Sequence, residues 1–144
     1  MGMYRDSKGR RTCGFVICGM DNKNRQYIPF DSSTCHPGIS HDYEGFDSNR
    51  WIVTDTSYSN GETSMLWLLD SYSGKNYYLG ITPQTGLDPG HTHPNFSWNN
   101  QYIFFGLYTP DLKTPCLGWM DVSDIVNNPL PGGDYELSET CDSF

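Results

Sequence analysis

The sequence contains no alanine, comparatively few positive charges and no long apolar run, and each of these absences excludes a class of protein. Without alanine, and with 15% aromatic residues, 15 glycines and 9 prolines among 144 residues, the composition favours strands and turns over helices. Lys and Arg number 9 against 17 Asp and Glu, and a net charge of −8 repels phosphate backbones, so we expect no nucleic-acid partner. No apolar run is long enough to cross a membrane, so we expect no membrane partner. The length suits one domain with a core of its own.

Cysteine is present, but not in a pattern that defines a structure. The five cysteines are an odd number at irregular spacing, which does not make a disulfide framework. We interpret them as buried or free thiols, with Cys35, beside His36, as an alternative metal ligand. The first six residues are polar and lack the apolar segment of a signal peptide. The sequence therefore predicts a cytoplasmic protein, or a periplasmic one if the chain is a piece of a longer protein.

An internal repeat runs through the chain, marked by apolar segments that close with aspartate. The closing residues, Asp21, Asp70 and Asp121, recur at intervals of about fifty positions, which lies in the range of known structural repeats. Ahead of the last two lie aromatic and β-branched segments at 51–55 and 102–106, aligned at the same interval. Such short runs, bounded by Gly, Asn, Asp and Ser, are typical of strands. Each repeat is therefore predicted to contain four strands.

Four strands in a repeat of this length are typical of one blade of a β-propeller. The sequence thus predicts an all-β fold, a partial propeller of about two to three blades, each a four-stranded antiparallel sheet. We expect a single domain in which 1–30 end one blade, 31–80 form the second, and 81–144 form the third blade and a tail. Propellers close with about four to eight blades, so the chain is expected to need further blades or self-association.

Several shorter segments also receive a structural prediction. In the first blade we expect a third strand near 14–21 and a fourth near 25–30. In the tail we expect a loop and a last strand within 127–137. The polar insertion at 41–50 is expected to be a surface loop. Trp98 lies in a turn and is the tryptophan expected to be most exposed.

Three of the four histidines fall within the repeat. The pattern His-Pro-x-apolar-Ser begins at His36 and again at His93, and His91 precedes the second copy by two residues. In an extended strand that spacing points both rings of the pair to the same face. The first strands of neighbouring blades line one channel, so we expect His36 near the pair, whereas His41 lies in the insertion and is expected at the surface. Three neutral imidazoles suit one divalent metal, with affinity falling below about pH 6.5; the alternative is that the rings only hydrogen-bond in a packed channel.

The order of His-Pro-x-apolar-Ser, a turn, and then Trp51-Ile52-Val53-Thr54-Asp55-Thr56 resembles the blades of TolB-type, WD40-like propellers. More narrowly, it resembles the oligogalacturonate lyase family over most of residues 31–125, and His-x-His-Pro followed by apolar-Ser is the strongest part. The resemblance implies seven blades around a channel that holds a divalent metal, usually manganese. It also implies the ligands, which are one histidine from one blade and a His-x-His pair with a glutamine from a later blade.

By that resemblance the metal ligands here are His36, His91 and His93. The glutamine of the family falls on Asp88, while Gln84 lies further from the pair. A carboxylate also suits manganese, so Asp88 is the fourth ligand candidate. The turn after the serine reads Pro-Asp-Gly in such repeats and differs in both copies here.

The function that the resemblance implies is a metal-dependent polysaccharide lyase, or part of one. The substrate class is an acidic, uronate-containing oligosaccharide derived from pectin, cleaved by β-elimination while the metal neutralises the uronate carboxylate. The family's proton-abstracting histidine and its arginine match no residue here, so the catalytic base stays unassigned. Arg50 and Tyr43, on the insertion, are either substrate contacts or ordinary solvated side chains. The alternative function is a non-catalytic TolB-like segment that serves as a binding or interaction platform.

Overall fold

The computed structural model describes residues 2–5, 11–18, 26–30, 36–45, 50–56, 63–83, 92–109 and 114–129. These residues form ten strands and one short helix: β1 (Gly2–Arg5), β2 (Arg11–Ile17), β3 (Gln26–Phe30), β4 (Gly38–Ile39), β5 (Trp51–Asp55), β6 (Thr63–Asp70), β7 (Lys75–Pro83), β8 (Asn95–Phe96), β9 (Tyr102–Tyr108), β10 (Pro115–Asp121) and α1 (Ser123–Asn127). The fold is all-β, as the composition predicted. Over the described ranges, no helix has both the length and the apolar character needed to span a membrane.

The strands form three antiparallel sheets that follow the order of the chain. The first sheet is β1-β2-β3, the second is β4-β5-β6-β7 and the third is β10-β9-β8. Every pair of neighbouring strands is antiparallel. The second sheet has the predicted four strands, while the described parts of the first and third have three each. Within the described residues no sheet closes on itself.

The predicted strands that carry the repeat are present. β5 covers the predicted aromatic and β-branched segment, and β6 ends at Asp70, the residue predicted to close the apolar run. β2 and β3 overlap the two segments expected in the first blade, although β2 starts at Arg11 and ends at Ile17; Asp21 lies outside the described residues. β1 was not predicted, because four residues that include a glycine and an arginine carry little strand signal.

The short helix α1 was not predicted either. It follows β10 almost directly, and the Asp121 carboxylate accepts a hydrogen bond of 2.9 Å from the Ser123 backbone amide at its start. Val122 and Val126 are buried in the same apolar cluster as the third sheet. Five residues are too few to show helical periodicity, so no sequence pattern indicated the helix. Most of the segment predicted to hold the last strand lies outside the described residues.

Apolar side chains pack the three sheets face to face, in two clusters. The larger lies between the second and third sheets and contains Trp51, Val53, Leu66, Leu68, Phe96, Ile103, Phe105, Val122 and Val126. The smaller lies between the first and second sheets and contains Ile28, Phe30, Ile52 and Leu69. Because successive residues of a strand point to opposite faces, Val53 joins one cluster and Ile52 the other. The second sheet is thus covered on both faces, and each fully buried aliphatic side chain stabilises the fold by about 1.5–3 kcal/mol.

The serine that ends each His-Pro-x-apolar-Ser segment makes the same two hydrogen bonds in both copies. Ser40 donates its amide to the Trp51 carbonyl at 3.0 Å, and its hydroxyl accepts from the Trp51 amide at 3.2 Å. Ser97 makes the same pair with Tyr102, at 2.8 Å and 3.0 Å. The serine therefore extends the ladder between the first and second strands of the repeat by one more pair of residues.

The aspartates that close the apolar runs also repeat a contact. Oδ1 of Asp70 accepts from the Tyr72 amide at 3.0 Å, and Oδ1 of Asp121 accepts from the Ser123 amide at 2.9 Å. Each contact is a local turn in which the carboxylate binds a backbone amide two residues on. Hydrogen bonds from the side chain and the amide of Ser123 lower the pKa of the Asp121 carboxyl below its ordinary value. The repeat seen in the sequence thus corresponds to a repeat of hydrogen bonding.

Candidate metal centre

His36 and His93 occupy equivalent positions in the second and third sheets. Each lies two residues ahead of a two-residue strand, β4 for His36 and β8 for His93. β4 pairs with β5, and β8 with β9, in corresponding registers. The two rings meet, with centroids 3.9 Å apart and planes inclined by 41°.

Two details of the backbone bring these segments together. Gly38 lies where the segments approach, and a Cβ atom there would fall 2.6 Å from the Pro94 carbonyl oxygen. A glycine is therefore required at this position of the first copy. His93 adopts a φ of 42°, a region that non-glycine residues seldom enter and in which histidine is enriched. Just before it, the Thr92 carbonyl accepts a 2.7 Å hydrogen bond from the Gly106 amide, which ties the segment to β9.

Asp55, at the end of β5, holds the His36 side chain in place. Its Oδ1 accepts from the His36 backbone amide at 2.8 Å, and the His36 ring Nδ1 lies 3.1 Å from Oδ1 and 3.0 Å from Oδ2. Asp55 is fully buried, and the His36 side chain is one-quarter exposed. A buried carboxylate without a partner is costly, so the geometry assigns the Nδ1 proton to this contact. In the neutral tautomer that results, the lone pair lies on Nε2.

Sequence reasoning did not assign Asp55 a role at the site. It was read as the last residue of a strand, and its partner lies 19 positions earlier in the chain. A signal was present in the sequence, because Asp55 is the charged residue in a segment that is otherwise aromatic or β-branched. A carboxylate in a strand that is otherwise apolar or β-branched indicates a buried partner.

His36 and His93 are residue types that bind divalent ions, but the described residues supply only part of a ligand set. His91 and Asp88 lie outside the described residues, as does Cys35. Over the described ranges, no group of three or more His, Cys, Asp or Glu side chains is placed to hold a metal. Two imidazoles on one tetrahedral ion, with nitrogen–metal bonds of about 2.1 Å, have centroids about 5 Å apart. The rings of His36 and His93 would therefore part by about 1 Å to share an ion.

The insertion after the first copy is tied to the third sheet. The amide of His41 donates to the Asn100 side-chain oxygen at 2.7 Å, and the Asn100 side-chain nitrogen donates to the His41 carbonyl at 2.8 Å. The His41 ring lies 5.2 Å from the Trp98 ring. Trp98 is 69% exposed, as predicted, whereas His41, expected at the surface, is half-buried because of these contacts.

Arg50 pairs with a buried carboxylate, and its side chain is one-quarter exposed. Its Nε and a terminal nitrogen donate to the two oxygens of the buried Asp70 carboxylate, at 3.2 Å and 3.0 Å. The guanidinium also lies 5.5 Å from the Trp51 ring centroid and 5.2 Å from that of Tyr72. Arg50 therefore stabilises the turn between β6 and β7, an effect that its place in a polar insertion did not indicate.

Tyr43, the other insertion residue considered as a substrate contact, lies beside Glu44. A hydrogen bond and charge repulsion, both from Glu44, raise the pKa of the Tyr43 hydroxyl.

Comparison of the chain with family models, with curated proteins and with solved structures gave no match. The resemblance to oligogalacturonate lyases therefore stays a prediction from the residues of the two His-Pro-x-apolar-Ser segments.

Proposed function

We propose that this chain forms consecutive blades of a β-propeller and carries the metal site of a polysaccharide lyase acting on uronate-containing, pectin-derived oligosaccharides. The observation that carries the proposal is the meeting of the His36 and His93 rings, 3.9 Å apart, from equivalent positions of two repeats. Side chains that converge from neighbouring repeats onto one point are a usual way to build a site in repeated folds. The proposed metal is divalent, and manganese is preferred because the resemblance implies it and because a carboxylate ligand suits it.

The propeller architecture is supported by the way successive sheets pack. Three antiparallel sheets follow one another along the chain, and two apolar clusters pack them face to face. The inner strands β4 and β8 lead each repeat, and both carry the histidine segment at their start. Consecutive blades around a channel are expected to stack in this order with equivalent strands side by side, and this agreement supports the proposal.

The ligand set combines what the structure places with what the sequence predicts. His36 is proposed to bind through Nε2, because Asp55 occupies its Nδ1. His93 is the second ligand. His91 and Asp88 complete the set as predicted from the sequence. A carboxylate on the far nitrogen of a metal-binding histidine orients the ring and raises its basicity, which is the relation that Asp55 has to His36.

The chemistry follows from a metal held at this point. When bound, the divalent ion neutralises the uronate carboxylate and so favours loss of the C5 proton and departure of the C4 glycosidic oxygen. His36, fixed by Asp55, sets where a substrate carboxylate docks. The proton acceptor is a separate group, and no residue of this chain is assigned that role.

Metal binding is tested first, and catalysis is tested second. Titration of Mn²⁺ into the 144-residue chain, followed by calorimetry, is expected to give binding that is lost in the variant His36→Ala/His93→Ala. His41→Ala is the matched control, because the His41 ring lies against Trp98 and the contacts of His41 with Asn100 use backbone atoms that the variant keeps. Equal affinity in wild type and the double variant would refute the metal site. The lyase assay uses a protein in which further blades accompany this chain, because no residue of the chain itself is assigned as the proton acceptor. There, formation of an unsaturated, ultraviolet-absorbing product from oligogalacturonate would establish the lyase, and metal binding without product would instead favour the non-catalytic binding platform.

A further inference from the structure

The outward face of the third sheet is apolar and exposed. Trp119 and Phe104 are directly paired across β10 and β9, and Leu117 stands two residues from Trp119 on the same face. Their exposed fractions are 64% for Trp119, 39% for Phe104 and 74% for Leu117. The Tyr102 ring meets the Trp119 ring edge-on, with centroids 5.6 Å apart. Contiguous exposed apolar surface of this kind marks a place where another molecule or segment packs.

The internal repeat identifies what covers such a face. Val53 pairs with Leu68 in the second sheet, in the same way that Phe104 pairs with Trp119 in the third. The equivalents of Phe104, Trp119 and Leu117 are Val53, Leu68 and Leu66, whose exposed fractions are 0%, 0% and 1%. These three residues are buried because the third sheet packs on them. The equivalent face of the third sheet is therefore built to receive one more sheet of the same repeat.

We infer that the third sheet of one chain packs against the first sheet of a second copy, so that two copies close a ring of their six described sheets, one fewer than the seven blades that the resemblance implies. The inference rests on the propeller architecture proposed above. The first sheet offers a complementary face: Phe15 and Ile17 turn toward the second sheet, so the alternate residue Val16, paired with Tyr27, turns away from it. The contact is head-to-tail, and such contacts form a closed assembly only if the rotation closes.

The number of sheets in one chain determines how many copies of the chain a closed ring contains. The described part of the chain contributes three sheets. Propellers close with about four to eight blades, so two copies fall within that range and three copies fall outside it. A second copy supplies two identical contacts, one at each end, and leaves neither terminal sheet with an open apolar face.

The test is the molar mass of the 144-residue chain in solution, measured by sedimentation equilibrium over a range of concentrations. We expect twice the chain mass of 16.4 kDa for the wild type. Trp119→Asp is expected to halve that mass, because a charge replaces the centre of the contact. Trp98→Asp is the matched control, since Trp98 is similarly exposed at 69% but lies in a turn, and its mass should stay doubled. Leu117→Asp serves as a second variant on the same face, and circular dichroism checks that each variant keeps its strands.

Three outcomes would overturn the inference. A wild-type chain that stays at 16.4 kDa at every concentration shows that no second copy binds, whether or not another part of the same chain covers the face. A doubled mass that survives both Trp119→Asp and Leu117→Asp places the contact elsewhere. Open assemblies that grow with concentration show that the ring does not close. Mn²⁺ titration of the same samples separates this result from the proposed function, because loss of metal binding with a doubled mass would refute the metal site and leave the ring standing.

Discussion

The buried carboxylate of Asp55 accepts a hydrogen bond from the His36 backbone amide and contacts the Nδ1 atom of the same residue's ring. One side chain thus fixes both the position of the backbone and the orientation of the imidazole. In metal sites, a carboxylate that does not itself touch the ion often contacts the far nitrogen of a histidine ligand in this way and fixes the orientation of its ring.

The first prediction concerns Asp55→Asn, which keeps the shape and removes the charge. The amide nitrogen of asparagine donates to Nδ1, which reverses the tautomer of His36 and places the proton on Nε2. We expect Mn²⁺ affinity to fall by about 10–100-fold, the range found for partners of metal-binding histidines. Nitrogen-15 spectra of the imidazole in the metal-free protein measure the tautomer directly. Asp42→Asn, at an exposed position, is the control, and an unchanged tautomer in Asp55→Asn would contradict the assignment.

The second prediction concerns Gly38→Ala, which adds a methyl group where the two histidine segments approach. The added Cβ would meet the Pro94 carbonyl oxygen at 2.6 Å, so β4 and β8 must separate. We expect a loss of about 1–3 kcal/mol in the free energy of unfolding, as for other overpacked positions, and weaker Mn²⁺ binding. Asn95→Ala changes the equivalent, exposed position of the second copy and should leave both nearly unchanged. Urea unfolding measures the first effect, and equal stability of the two variants would show that the segments do not meet this closely.

The third prediction compares the two aspartates that close the apolar runs. Asp70 is fully buried and accepts from Arg50, from the Tyr72 amide and from the Ser73 hydroxyl, the last at 2.9 Å. Asp70→Asn leaves the guanidinium without its charged partner and should cost about 1–3 kcal/mol in the free energy of unfolding. Asp121→Asn, at the equivalent exposed position, should cost much less. The comparison is made by urea unfolding, and a similar loss in both variants would mean that burial of Asp70 and its contact with Arg50 contribute little.

The fourth prediction concerns pH and the turn before α1. The pKa of Asp121 lies below its ordinary value of 3.8, first because of the Ser123 side chain and then because of the Ser123 amide. A lowered pKa in the folded state means that the stabilisation is present above the ordinary value and is lost as the pH falls through the lowered one. The chemical shift of the Ser123 amide should therefore titrate with a midpoint below 3.8, and Ser123→Ala should move that midpoint upward. A midpoint at or above 3.8 in the wild type would contradict the hydrogen bonds from Ser123 to Asp121.

The parts of the fold that follow a period could be predicted from the sequence, and the parts that depend on single contacts could not. The recurring apolar runs and closing aspartates indicated β5 and β6, because short runs of apolar, aromatic and β-branched residues bounded by turn residues carry a strand signal of their own. α1 is too short for a helical pattern, and its valines read equally well as part of a loop.

The candidate site likewise has one part that the sequence predicts and another that it does not. The repeat of His-Pro-x-apolar-Ser indicated that His36 and His93 stand at equivalent positions, because equivalence is a property of the sequence alone. The roles of Asp55 and Arg50 depend on partners 19 and 20 positions away, and no local pattern states which carboxylate meets which cation or ring. Both contacts form within the second sheet, where the pairing of β5 with β4 and with β6 brings the partners together.

Because the second sheet is packed on both faces, its amides become exposed to solvent only after a neighbouring sheet has detached. The strands β5 and β6 of the second sheet are enclosed by the first sheet on one side and the third on the other, so a fluctuation that exposes their amides must first detach a neighbour. We expect hydrogen exchange at these amides to report the largest opening free energies among the described strands, and we expect the two outer sheets to exchange earlier. Asp55 belongs to β5, so the residue that orients His36 sits in the part of the chain that is last to lose its structure on heating.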